Sequence, residues 1–183
     1  MNKDEAIHRD ENGLVRPGGD RPTVTRIDGT REWRVEGKLH REGDRPAVVN
    51  LTDGTQEWWV NGLRHREKDL PAVIRSDGSK EWWLEGKLHR EGDRPAVYLF
   101  NGGRAWFSNG LLHREGGGPA LVWADGSEEW WRYSIRHREG DLPAVIRPDC
   151  KEWWLNGECY KQEANFDSQY LESGIELDAN RSC

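Results

Sequence analysis

The 183-residue sequence predicts an all-β repeat protein: about six β-hairpins on a 24-residue period, stacked as an elongated antiparallel array, with a short C-terminal capping helix. Three observations predict it. His40, His65, His89, His113 and His137 recur at spacings of 25, 24, 24 and 24, and Pro46, Pro71, Pro95, Pro119 and Pro143 follow them by six residues. Trp33, Trp58, Trp82, Trp106, Trp130 and Trp153 recur in step, and a fixed period of this size marks stacked supersecondary units. Gly or Pro interrupts every stretch of about ten residues, which leaves no room for helices within the repeats.

Residues 1–15 precede the pattern and are expected to form a mobile acidic N-terminus. Their start, MNKDEAIHRDENG, has no apolar stretch, so neither a signal peptide nor a membrane span is expected. Arg16 and Pro22 stand where later units have His and Pro, and Tyr160 takes the last His position, so the repeat domain is expected over 16–160. Each unit opens with a β-branched stretch after its Pro, as in PAVIR, which suits the start of a strand. A turn pair follows: Asp28-Gly29, Asp53-Gly54, Asp77-Gly78, Asn101-Gly102 and Asp125-Gly126 supply the positive-φ positions of tight hairpins. In the sixth unit Cys150 stands in for the turn Gly. The second strand is the aromatic EWWLEG, and the polar NGxxHREGDRP is read as a loop to the next hairpin. No hairpin can bury its face alone, so its neighbours must cover it. Beyond Tyr160, Phe166, Tyr170 and Leu171 fall at i, i+4 and i+5 and predict an amphipathic helix ending near Gly174, so 161–183 is expected to be a cap and tail.

The heptapeptide Trp59–His65, WVNGLRH, resembles the W-x-N-G-K-x-H core of MORN repeats, and Asp53-Gly54 resembles their Asp-Gly turn. WLEGKLH and WFSNGLLH are looser copies. The resemblance spans the repeats and implies a hairpin array of the MORN-like kind. Such proteins act as scaffolds, as dimerisation devices or, in bacteria and their viruses, as antitoxin- or inhibitor-like binders. The chain departs from the pattern at Arg41, Arg66, Arg90, Arg114 and Arg138, where a MORN unit has Gly after the His, and at Thr55 and Glu57, where it has Tyr and Gly before the Trp.

Charge and chemistry narrow the function. The net charge is −6, of which −2 lies in residues 1–15 and −3 in 161–183, leaving the body at −1. A nearly neutral body offers no electrostatic footprint for nucleic acid or an anionic membrane. Cys150, Cys159 and Cys183 include no CxxC pair, which is a reduced, cytoplasmic pattern. Equivalent His residues two strands apart would stand about 10 Å from one another, too far for imidazoles sharing a zinc at about 2.0–2.1 Å each. No metal or cofactor is therefore expected. Each His-Arg pair is instead expected to bond the neighbouring loop, with Glu42, Asp44, Glu91, Asp93, Glu139 and Asp141 as partners. The polar groups repeat five or six times and include no GxSxG, HExxH or phosphate loop, so no enzyme is expected.

What every unit shares is explained by folding, so binding specificity is expected where the repeats break their own rule. The first Trp of each pair never varies and is assigned to the core. Its neighbour varies: Arg34, Trp59, Trp83, Phe107, Trp131 and Trp154. Four residues after the unit's Pro, Arg26, Asn50, Arg75 and Arg147 become Leu99 and Trp123 in the fourth and fifth units. Two residues after the first Trp, Val35, Val60, Leu84 and Leu155 become Ser108 and Arg132. Tyr98, Leu99, Phe100, Phe107, Trp123, Trp131, Arg132 and Tyr133 are accordingly the candidate surface for another protein. Repeat drift repacked locally is the alternative. Sugar or lipid-headgroup binding through the aromatic columns, or self-association into a homo-oligomer, are the competing functions.

Overall fold

The computed structural model describes residues 5–7 and 21–164, an all-β chain whose strands are mostly two residues long. Fourteen strands form one antiparallel sheet. Each unit gives it one hairpin, such as Val73–Ile74 with Lys80–Glu81 or Val97–Tyr98 with Arg104–Ala105. The second strand of each hairpin pairs with the first of the next, as Lys80–Glu81 does with Val97–Tyr98. Glu5–Ile7, outside the repeat pattern, pairs with Val24–Arg26. The remainder of 1–15, and Arg16, lie outside the described residues.

The strand expected over EWWLEG breaks at its first Trp. Lys80–Glu81 belongs to the sheet, but Trp83–Leu84 pairs with Lys87–Leu88 in a separate side hairpin. Trp82 is the junction: its N–H donates to the Ala96 carbonyl of the next unit, and its own carbonyl accepts from His89 N–H. The same break gives Arg34–Val35 with Lys38–Leu39, Trp59–Val60 with Leu63–Arg64, Phe107–Ser108 with Leu111–Leu112, and Trp131–Arg132 with Ile135–Arg136. The first half of the expected loop is thus a hairpin. Its two turn residues both carry positive φ, as at Asn61 (51°) and Gly62 (84°), which is the turn type that matches strand twist. The side hairpins stack, because each turn N–H, such as that of Gly62, Gly86 or Gly110, donates to the carbonyl of Leu39, Arg64 or Leu88 one unit earlier.

The Asp-Gly turns work differently from expectation. Only the Gly has positive φ, while Asp28, Asp77 and Asp125 accept the N–H of Thr30, Ser79 and Ser127 two residues on. These bonds hold all three carboxyls below the ordinary range. Cys150 does not replace a turn Gly. Its carbonyl accepts from Arg147 N–H just as Ser79 accepts from Arg75, so it fills the buried Ser/Thr position and the Gly is deleted.

The core is thin and periodic. Ala47, Ala72, Ala96, Ala120 and Ala144 are 0% exposed, and the six first-column Trp side chains are 4–8% exposed, as the invariant column predicts. Small Ala residues let the backbone approach while each indole covers the next unit. At the far end the capping helix does not begin at 161. Glu158–Ala164 is instead a strand pairing with Cys150–Leu155, because Lys161–Ala164 continue the backbone ladder to the Cys150–Trp153 edge. The remainder of the expected helix, Phe166–Gly174, and the tail with Cys183 lie outside the described residues.

Candidate functional site

Two surfaces differ from the sheet interior, and both are built by the repeat. The first runs along the loops. The first-column indoles donate to loop carbonyls, as Trp58 does to Asp44, Trp82 to Asp69 and Trp106 to Asp93, at 3.0–3.2 Å. A guanidinium from the next loop lies over the same ring: Arg66 on Trp58 at 3.7 Å, Arg90 on Trp82 at 3.8 Å and Arg114 on Trp106 at 4.1 Å. The Asp that offers the carbonyl also clamps that guanidinium through two oxygens, as Asp93 does to Arg114 Nε at 2.7 Å and Nη2 at 2.9 Å. Arg66 on Asp44 and Arg90 on Asp69 repeat the clamp, and Arg94 adds a second contact to Asp69. The Arg partners hold all three Asp carboxyls low.

The His column bonds the side hairpins. Nδ1 of His40, His65, His89 and His137 accepts the backbone N–H of Asn61, Glu85, Asn109 and Asn156 at 3.1–3.3 Å. Among the expected loop partners, Asp44 and Asp93 clamp Arg. Glu139 meets Arg132 and His137, and Asp141 accepts from Tyr160. Glu42 and Glu91 accept from Arg45 and Arg94 through their carbonyls. Among the described residues, no group of three His, Cys, Asp or Glu side chains is placed to hold a metal ion.

Cavities repeat between successive loops, with volumes of about 520, 340, 320 and 670 Å³ from the second unit onward. The largest lies between the fifth and sixth loops and is lined by Trp131, Arg132 and Tyr133. Phe107 lines its smaller neighbour. Tyr133 breaks the side-hairpin pattern: its ring stacks on His113 at 4.1 Å, and it and Ser134 take the two positive-φ positions. Ser134 keeps the stacking bond through its N–H and adds a second, because its hydroxyl accepts from Leu112 N–H.

The second surface is the row of sheet turns. Phe100 is 71% exposed, and Tyr98, Leu99 and Trp123 of the fourth and fifth units are also exposed, although the Tyr98 ring packs at 5.6 Å on Trp82. Phe100 is held out by its backbone, whose N–H donates to Ser79 Oγ at 3.0 Å. These four residues line none of the four cavities. Ile27 and Leu51 occupy the same turn position in the first two units and are also exposed. The eight sequence-predicted residues therefore divide into two groups.

A buried network links the groups and was missed in the sequence. Glu32, Glu129 and Glu152 are buried beneath the second Trp column. Each Glu accepts from its neighbour two residues on: Trp59 to Glu57, Trp83 to Glu81, Trp131 to Glu129 and Trp154 to Glu152, all at 2.6–3.0 Å. Arg34 pairs with Glu32 in the same way. The residue four after the unit's Pro completes the set in the first, third and sixth units, with Arg26, Arg75 and Arg147 on Glu32, Glu81 and Glu152, whereas in the second unit Arg64 takes that place on Glu57. Trp123 does so by donating its indole N–H to Glu129 at 3.3 Å. In the fourth unit all three members change together to Leu99, Ala105 and Phe107. That coincidence, a Phe two residues after the one Ala among five Glu, was the available signal.

No family model matches the chain, and no curated protein matches it. Among the described residues no helix is long and apolar enough to cross a membrane.

Proposed function

We propose that the chain is a non-enzymatic, cytoplasmic protein-binding module of MORN-like type, acting as a scaffold or as an inhibitor- or antitoxin-like binder. The observation that carries this reading is Phe100, 71% exposed on the turn edge and unused by the Glu network, with Tyr98, Leu99 and Trp123 also partly exposed in the same two units. Sister turns place Ser76 at the Phe100 position and Arg75 at the Leu99 position. Large exposed aromatics with apolar neighbours are the usual anchors of protein interfaces.

Sugar stacking is less favoured. First-column rings are buried and carry guanidinium groups on their faces, and second-column indoles are half-buried and spend their N–H on Glu. Arg64 also lies 5.0 and 5.1 Å from the centres of Trp59 and Trp83, over the faces a sugar would need.

Phe100→Ser with Trp123→Arg tests the reading, because each change copies a sister unit. An arginine at 123 meets Glu129 as Arg75 meets Glu81. The double variant is expected to keep the wild-type melting temperature and lose the proteins that the wild type captures from its host. Unchanged capture refutes the turn edge as the interface. Concentration-dependent mass of the wild type in sedimentation, abolished in the variant, would assign the edge to self-association instead.

A further inference from the structure

The loop clamp lapses at Arg138. Arg138 lies over Trp130 at 3.5 Å, like its sisters, and donates Nη1 to the Pro143 carbonyl at 2.8 Å as they donate to Pro71, Pro95 and Pro119. The residue due to clamp it is Gly117, and Trp130 accordingly donates to the Gly117 carbonyl. Nε and Nη2 of Arg138 have no hydrogen-bond or ion-pair partner among the described residues. Burial pushes its guanidinium below the ordinary range, with the charge of Glu128 as the offset, whereas Asp93 raises that of Arg114.

The place of the missing carboxylate is open. Gly117 has φ 77°, in the same left-handed region as Asp44 (52°), Asp69 (55°) and Asp93 (52°), and a Cβ built on it meets nothing within 4 Å. The void is part of the 670 Å³ cavity, the largest of the series. A second polar group in its lining is also unsatisfied. His113 Nδ1 is buried without a partner, because Tyr133 does not offer it the backbone N–H that the other described His residues receive. Glu115 does not exclude an anion here, since Glu67 occupies the same position beside the occupied clamp of Arg90 and Asp69.

We propose that the cavity between the fifth and sixth loops is a carboxylate-binding site, in which a ligand carboxylate takes the two-oxygen position on Arg138 that Asp44, Asp69 and Asp93 take on Arg66, Arg90 and Arg114. The planar guanidinium is preorganised for this by its stacking on Trp130, so the two donors point into the void without loss of side-chain freedom. A monoanionic planar group fits the two parallel donors. The carboxylate comes either from a small organic acid or from an acidic side chain of a polypeptide. The site is separate from the turn edge and stands whether or not that edge is an interface.

The test follows the arginine Nε–H resonances of the full chain by NMR at constant ionic strength. One arm adds sodium acetate and the other a capped Gly-Asp-Gly peptide, each against sodium chloride. The Arg138 resonance is expected to shift saturably while that of Arg114 stays in place. Saturation by acetate alone assigns the source to small acids, and tighter saturation by the peptide assigns it to a polypeptide. Gly117→Asp, which supplies the internal clamp, should abolish the response. Arg138→Lys, which removes the fork but keeps the charge, should abolish saturable binding of either probe, read at the neighbouring Trp130 indole N–H. No saturable shift at Arg138 with either probe overturns the proposal, as does a response that persists in Gly117→Asp.

Discussion

Placing a glutamate at Ala105 tests whether the buried Glu column is one unit with its partners. Position 105 is 8% exposed, and in its unit the partner positions hold Leu99 and Phe107, whose side chains cannot donate a hydrogen bond. An uncompensated carboxylate there should cost about 3–5 kcal/mol. Adding Phe107→Trp supplies an indole N–H, which in the third unit meets Glu81 at 2.8 Å and is worth about 1.5–3 kcal/mol to a charged acceptor. Adding Leu99→Arg supplies the guanidinium that Arg75 supplies there. Because the Arg75 side chain is 49% exposed, that pair is worth no more than about 1 kcal/mol. The triple variant should therefore return to within about 1 kcal/mol of wild type, a coupling of the size found for residues in one network. Urea unfolding at pH 7 reads all three chains. A triple variant as unstable as Ala105→Glu alone would refute the network.

Trp82→Ala should cost about 3–5 kcal/mol in urea unfolding, because it empties a buried indole site and removes the ring under Arg90. Arg34→Ala, silent if the second column were merely wet, should instead cost about 1 kcal/mol, since Arg34 bonds the buried Glu32 at 2.8 Å. The low carboxyls of Asp44, Asp69 and Asp93 contribute stability that is present above the ordinary carboxylate range and lost as pH falls through their lowered values. Thermal melts of Asp69→Asn should show lower stability at neutral pH and a shallower decline below about pH 4 than wild type, and parallel declines would contradict the clamp. Truncation after Tyr160 uncovers the ladder of Cys150–Trp153 and should give self-association on size exclusion, while truncation after Ala164 should not.

Much of this fold was legible because a repeat displays each position six times. Invariance alone placed the first Trp column in the core. The side hairpins were hidden because two-residue strands are too short for alternation to register. Their signal was the Asn-Gly and Glu-Gly pairs, which sit symmetrically between short apolar stretches just as Asp-Gly does. The strand at Lys161–Ala164 escaped because its own side chains are exposed, and its partner, the Cys150 edge, is named only by backbone pairing. The candidate surface was half legible. Leu99 and Phe107 read as exceptions, but with Ala105 they form an apolar replacement of a polar triad, whereas Phe100 has no such compensation. The lapse at Gly117 was visible as GGG in place of GDR. Its meaning depends on the Asp-to-Arg clamp between units, which only the structure displays.

Hydrogen–deuterium exchange on the chain, alone and with a protein captured from its host, tests the central claim most directly. The account predicts new protection confined to the turns around Tyr98–Phe100 and Trp123, with the side hairpins of the first three units unchanged. Protection spread evenly along the side hairpins, or none at the turn edge, would contradict it.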